Sequence, residues 1–155
     1  MENSGADPDS VEVTDSGATI THTIEALENI GCCLESTWPY DISQVNQKPC
    51  DEAYAEAPPY KITEAFQVNV DVTEMKQCLA QGYPFAFGLN LYEDYNNIQS
   101  DGIVPMPRPN EGSLGGHCQL AVGYDDSKQA FIVRNSWGPN WVCMFVVNVT
   151  CFKIL

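Results

Sequence analysis

The chain has few basic residues and no long apolar segment. It carries 7 Lys and Arg against 21 Asp and Glu, a formal net charge of −14 over 155 residues. So acidic a protein repels phosphate backbones and anionic lipids, and we expect neither nucleic acid nor a membrane surface as a partner. No stretch approaches the roughly 18 apolar residues of a membrane-spanning helix. The first residues also lack the basic and apolar regions of a secretory signal, so the sequence assigns no compartment.

The cysteines form no recognisable framework. There are seven, an odd number, and no two have Cys-x-x-Cys spacing. This pattern disfavours both a zinc site and a complete set of intrachain disulfides. The composition is otherwise that of a folded domain, with 44% hydrophobic and 18% charged residues.

Sequence pattern predicts an α+β domain over residues 16–155, preceded by a mobile leader rich in Asp, Ser and Gly over residues 1–15. The predicted helices share an apolar stripe or a capping signal at their start. They run from a cap at Asp15 or Ser16 to Gly31, over residues 52–57, and from a capping box at residues 71–74 to Gly82.

Strands are predicted mainly in the second half of the chain. Alternating β-branched and aromatic residues predict a strand over residues 60–70, and a continuous apolar run predicts a buried strand over residues 85–92. Residues 117–124 and 130–134 are separated by a polar turn and predict a hairpin. The resulting sheet is expected to be mainly antiparallel.

Two short motifs in the predicted hairpin suggest chemistry. Gly115-Gly116-His117-Cys118 opens its first strand, and Asn135-Ser136-Trp137-Gly138 follows its second. A thiol-dependent enzyme needs a His held in one tautomer, with one ring nitrogen free to take the thiol proton and the other bonded to an amide or carboxylate. An Asn across the hairpin supplies such a bond. His117 and Asn135 are therefore candidates for half of a thiol-peptidase site.

This arrangement resembles the papain-like, cathepsin-type cysteine peptidases. In that family the Asn lies in an Asn-Ser-Trp-Gly segment and a second Trp follows four residues after the first, as Trp141 follows Trp137 here. Similar blocks continue upstream in the same order, as far as about residue 16, and are especially like those of microbial and viral members. The resemblance implies a papain-like fold, mainly the barrel-like right lobe with helical remnants of the left lobe.

The resemblance also implies roles for the central residues. His117 would be the general base and later the general acid, and Asn135 would orient its ring. Trp137 would cover their hydrogen bond from water, which strengthens it. The substrate would be a peptide or protein, and no metal or organic cofactor is implied, because thiol–imidazole chemistry needs none.

Four further residues would contact substrate if the resemblance holds. Trp141 would line the leaving-group side of the cleft, and Gly116 would let an extended substrate lie close to the backbone. Cys118 and Gly88 would lie near the pocket for the substrate side chain two residues before the scissile bond.

The nucleophile of the family is missing from this sequence. Papain-like enzymes carry it at the start of a long helix, after a Gln that helps to hold the oxyanion, and no such segment precedes His117. Cys32 and Cys33 follow a predicted helix C-terminus, where the helix dipole disfavours a thiolate. Cys118 is expected to point away from His117 and into the core, because successive strand residues face opposite sides.

We therefore expect the chain to be the C-terminal two thirds of a peptidase domain, inactive alone, with a missing N-terminal segment supplying the nucleophile. Residues 142–155 depart from the family pattern, which suggests a shifted reading frame or an unspliced intron. Sequencing the transcript across this point tests that hypothesis. Two other functions stay open: a non-catalytic papain-like homologue that binds peptides or proteins, and a secreted binding module stapled by disulfides.

Overall fold

The structure is a computed structural model that describes residues 17–93, 95, 102–138, 141–146 and 152–153. Of residues 142–146 and 152–153 only the backbone is described. The predicted leader lies outside the described residues. The chain divides into two compact units, Met1–Ala65 and Phe66–Leu155. No helix in the described ranges has the length and apolar character needed to cross a membrane.

The described part of the first unit is helical. Helix α1 spans Ile20–Asn29 and helix α2 spans Asp51–Glu56, with short 3-10 turns at Ile42–Gln44 and Pro58–Tyr60. This confirms two predicted helices, but the predicted cap of the first is wrong. Thr19 caps α1 instead, since its side chain accepts a hydrogen bond from the backbone N–H of His22 at 3.1 Å.

Gly31 ends the first helical segment as predicted. Its φ is +94°, and a Cβ there would lie 2.2 Å from the carbonyl oxygen of Ala57. Both the left-handed backbone and this close approach require glycine. The glycine thus lets the chain leaving α1 pass directly against the end of α2.

The second unit opens with helix α3, Val72–Ala80, which is capped by Asp71. The Asp71 carboxylate accepts from the backbone N–H groups of Thr73 at 2.9 Å and Glu74 at 3.0 Å. The Glu74 carboxylate accepts from the Asn69 side chain at 2.8 Å. The predicted capping box is therefore present as a cap, and Glu74 is engaged with the preceding loop.

The predicted strand over residues 60–70 is wrong. Those residues form a 3-10 turn and irregular backbone, and Phe66 is 83% exposed. A strand requires a partner strand for its backbone hydrogen bonds, and none of the described strands pairs with this segment. Alternating residue types alone did not supply one.

Six strands form one open sheet in the described residues. The strands are β1 Phe85–Tyr92, β2 Ile103–Val104, β3 Ser113–Asp125, β4 Ala130–Arg134, β5 Val142–Val146 and β6 Phe152–Lys153. Their order is β2-β5-β4-β3-β1-β6, with the β2–β5 pair parallel and the other pairs antiparallel. The predicted buried strand and hairpin are confirmed, and β5 and β6 show that part of the atypical tail lies in the sheet.

The core of the second unit lies on one face of this sheet. Phe87, Phe131, Met75 and Val133 are its fully buried large side chains. Met75 brings helix α3 onto the sheet, and Cys78 and Leu79 pack against the same cluster, as their spacing predicts. This core supports the strands that carry the candidate site.

Candidate active site

The core-facing sides of β3 and β4 bring His117 and Asn135 together. Burial alternates along β3, and His117 lies on the same face as the buried residues Gln119 and Ala121. Arg134, the last residue of β4, pairs with Leu120 of β3. Asn135 follows it directly, so its side chain comes level with the part of β3 that carries His117.

The His117 and Asn135 side chains share a hydrogen bond of 2.8 Å between Nε2 and Oδ1. The same Oδ1 accepts from the backbone N–H of Ser136 at 2.8 Å, which identifies it as the oxygen of the carboxamide. An amide oxygen only accepts, so Nε2 of His117 carries the proton of this bond. In the neutral ring Nδ1 is then the unprotonated nitrogen, the atom able to take a proton from a thiol.

One indole ring contacts this pair and a second packs behind it. The ring of Trp137 lies 5.0 Å from the His117 ring, centroid to centroid, with 35° between their planes. Trp141 lies 4.9 Å from Trp137 and packs against the hydrophobic core. Trp137 is 45% exposed, so one side of its ring covers His117 and the other faces solvent. The contact expected between Trp137 and the His–Asn pair is present, and its role remains a prediction.

Sequence reasoning missed two residues of the site, Tyr95 and Gln119. The Tyr95 hydroxyl accepts a hydrogen bond from Nδ2 of Asn135 at 3.2 Å and another from the side-chain amide of Gln119. Both side chains are almost wholly buried. Tyr95 lies in the stretch after β1, and no motif marks it. The inward-facing polar Gln119 in an otherwise apolar alternation was the one available signal.

The three remaining site candidates lie on β3, on either side of His117, and on the neighbouring strand β1. Gly116 is exposed, pairs with Asn90, and has open space where a Cβ would project. Gly88 is buried and pairs with Cys118. Cys118 faces the side of the sheet opposite His117, as predicted, but the prediction that it enters the core is wrong, since it is exposed.

The other described cysteines form no disulfide; they are Cys32, Cys33, Cys50 and Cys78. Desolvation by neighbouring atoms raises the pKa of the Cys33 thiol, and the same cause raises that of Cys118 although its side chain reaches solvent. Within the described ranges, no three His, Cys, Asp or Glu side chains are placed to hold a metal ion.

The sequence matches the family model described as papain family cysteine protease over residues 11–144. The chain belongs to the papain family. The match covers both helices of the first unit, the site and the start of β5.

Relatives of the chain include proteins of a virus and a protist. A peptidase C1-like protein of Acanthamoeba polyphaga mimivirus is 35% identical over 137 residues, which cover 82% of this chain and 44% of that protein. A cathepsin B-like protein of Giardia intestinalis is 34% identical over 86 residues, covering 53% of this chain and 27% of that protein.

Among solved structures, xylellain, a cysteine protease from Xylella fastidiosa, superposes with a TM-score of 0.77 at 37% identity. The likeness covers 84% of this chain and 56% of that one. The fold is therefore papain-like. The chain spans about half the length of xylellain and less than half that of the viral protein.

Proposed function

We propose that this chain contributes the general base and its orienting amide to a cysteine peptidase that hydrolyses peptide bonds. The observation that carries the proposal is the 2.8 Å bond from Nε2 of His117 to an Asn135 oxygen that Ser136 fixes in place. This bond selects the tautomer in which Nδ1 can accept a thiol proton.

The chemistry proceeds in two halves. Nδ1 of His117 takes the proton of a cysteine thiol, and the thiolate attacks the substrate carbonyl carbon. As the tetrahedral intermediate collapses, the imidazolium gives that proton to the departing amine, which leaves a thioester. Water then attacks the thioester with His117 as base, and the acid product and the thiol are released.

We propose that the nucleophilic thiol comes from outside residues 1–155. Cys118, the cysteine adjacent in sequence to His117, faces the opposite side of the sheet, and the raised pKa of its thiol reduces the thiolate population. Cys78 is partly buried and its sulfur donates to the carbonyl of Tyr83. In the first unit, desolvation and the neighbouring Cys32 raise the pKa of Cys33.

Substrate would run along the exposed start of β3. Gly116 leaves open space above its backbone, which suits an extended peptide. Trp141, partly exposed beside Trp137, is proposed to line the leaving-group side. The exposed Cys118, paired with Gly88, is proposed to border the pocket for the side chain two residues before the scissile bond.

The test uses the chain alone and a chimera. Residues 1–155 are expected to show no turnover of fluorogenic peptides and no labelling of a single thiol by an epoxide-type reagent. The chimera joins the part of xylellain not covered by this chain to residues 17–155, and it is expected to turn over peptides and be labelled at one introduced Cys. If residues 1–155 alone turn over peptides and are labelled stoichiometrically at one Cys, the proposal of an external nucleophile is contradicted.

A non-catalytic, peptide-binding homologue is the competing function. It is favoured by the unsuitability of the three described thiols considered above, because a cleft wall can bind without a nucleophile. It predicts that the folded chimera is inactive although residues 1–155 bind peptides. The disulfide-stapled module receives no support, since the five cysteines whose side chains the structure describes are all unpaired.

A further inference from the structure

Tyr95 contacts both the polar and the aromatic groups that lie behind the His–Asn pair. It is only 3% exposed. Its ring meets Trp137 edge to face, with centroids 5.5 Å apart and 86° between planes, and lies 5.8 Å from Trp141 at 33°. One tyrosine ring therefore contacts both indoles of the site.

The hydroxyl of Tyr95 contacts the amide that orients His117. Nδ2 of Asn135 donates to it at 3.2 Å, on the side of the carboxamide opposite the bond to His117. Ser136 fixes the oxygen of this carboxamide and Tyr95 fixes its nitrogen. With both ends bonded, the amide plane resists rotation away from the imidazole.

Gln119 in turn holds the hydroxyl. Its side-chain nitrogen donates to the Tyr95 oxygen, and Gln119 is 4% exposed. Its own Oε1 is buried and makes no hydrogen bond among the described residues. A buried amide oxygen left unpaired destabilises the fold, so Gln119 contributes more to the order of the site than to folding stability.

We infer that Tyr95 is a positioning residue of the peptidase site, with its hydroxyl, held by Gln119, setting the Asn135 carboxamide that fixes the His117 tautomer. The inference rests on the proposed function. Donation from Nδ2 of Asn135 to Tyr95 polarises that N–H bond towards nitrogen. The nitrogen lone pair then delocalises more strongly onto Oδ1 and makes it a stronger acceptor for the imidazole, as expected for linked hydrogen bonds in a dry setting.

The test removes either the Tyr95 hydroxyl or the side-chain amide that donates to it, and keeps the aromatic ring in place. In residues 1–155, Tyr95→Phe keeps the aromatic packing but leaves Nδ2 of Asn135 without this acceptor, and Gln119→Met removes the support of the hydroxyl. Tyr124→Phe is the matched control, because Tyr124 lies in the same sheet and its ring contacts Lys76. Thermal unfolding of each variant confirms that it folds.

Histidine-ring NMR reads the result directly, since the chain has two histidines, His22 and His117, and His22→Gln assigns them. The wild-type spectrum should show the Nε2–H tautomer of His117 with a slowly exchanging proton. Tyr95→Phe should speed that exchange by about fivefold, the equivalent of one lost hydrogen bond. Gln119→Met should act in the same direction with no loss of thermal stability, and Tyr124→Phe should leave exchange unchanged.

The chimera separates this inference from the proposed function. If the chimera is active, Tyr95→Phe should lower kcat about fivefold with little change in KM. An active chimera, with exchange and kcat both unaffected by Tyr95→Phe, overturns the positioning role and leaves the peptidase function standing. If the chimera is inactive but residues 1–155 show the expected NMR changes, the positioning of His117 by Tyr95 is supported. Only the proposed peptidase function is then contradicted.

Discussion

The two units of the chain hold their residues in place by different means. In the described part of the first unit only Ala53 and Ala57 are buried hydrophobic residues, while Tyr40 is 83% and Ile42 76% exposed. Its hydrogen bonds are mainly caps and turns close in sequence, joined by a few between segments, such as that from the backbone N–H of Leu34 to the Glu56 carboxylate at 3.2 Å. In the second unit, a buried cluster of ten residues joins α3 to the sheet.

The comparison shows why the site lies where it does. His117 and Asn135 are 18 residues apart, so hydrogen bonds between near neighbours in sequence do not by themselves set their distance. Their separation follows from strand register, and the register follows from burying one face of the sheet. A hydrogen bond of 2.8 Å across 18 residues needs a core beneath it, and the second unit has one.

The sharpest test of the comparison uses the two histidines, one in each unit. In an active chimera, His117→Ala should lower kcat/KM by roughly 10³-fold or more, because loss of the base removes nearly all thiol-dependent catalysis. His22→Ala should change it less than about twofold, since His22 lies exposed on α1 and surface changes of this kind are small. Turnover of a fluorogenic peptide measures both, and equal losses would contradict the assignment of the base.

The next largest effect concerns stability. Phe131→Ala should lower the free energy of unfolding by about 3–5 kcal/mol, because it empties a site that is 1% exposed. Tyr40→Ala in the first unit should cost less than about 0.5 kcal/mol. Urea denaturation followed by circular dichroism measures both changes. Similar losses for the two variants would show that the exposed first unit contributes as much packing as the sheet.

Sequence patterns predicted the elements whose causes are local. Asp71 marks a helix start through a hydrogen bond to a backbone N–H two residues later. Gly31 marks a helix end through its own positive φ. The polar turn of the hairpin is similar, because Asp125 bonds to the backbone of Ser127 two residues later. The strand expected over residues 60–70 failed because a strand depends on a partner elsewhere in the chain.

The candidate site divides in the same way. His117 and Asn135 were predictable because their motifs lie at recognisable positions of a hairpin. Tyr95 was not, since it follows a strand by three residues and meets Asn135 only through folding. For Cys118 the alternation of strand residues gave the correct face, but whether that face is covered depends on surfaces distant in sequence.

Helix caps provide a smaller, matched test. Asp71→Ala and Thr19→Ala each remove side-chain acceptors at a helix start, worth about 1 kcal/mol. Asp71→Ala should appear in global unfolding, because α3 carries the buried Met75. Thr19→Ala should appear mainly as faster amide exchange within α1, which buries no residue. A global loss of equal size from Thr19→Ala would show that the two units unfold together.

The smallest expected effect is a pH dependence shared by the two units. Asp41 and Asp125 each accept from a serine two residues later, and the hydroxyl bonds of 2.7 Å from Ser43 and 2.6 Å from Ser127 lower the pKa of the two carboxyls. A lowered pKa means that each turn is stabilised above the unfolded pKa and loses that stabilisation as pH falls through the folded pKa.

We expect the amide signals of Ser43 and Ser127 to titrate with midpoints below the ordinary aspartate value when followed by NMR from pH 6 to pH 2. Asp41→Asn and Asp125→Asn should each abolish only their own titration. Because the cause lies within three residues, the two midpoints should be displaced in the same direction despite the different packing of the units. An ordinary midpoint at Asp41 beside a lowered one at Asp125 would show that the sheet, and not the turn, stabilises the charge.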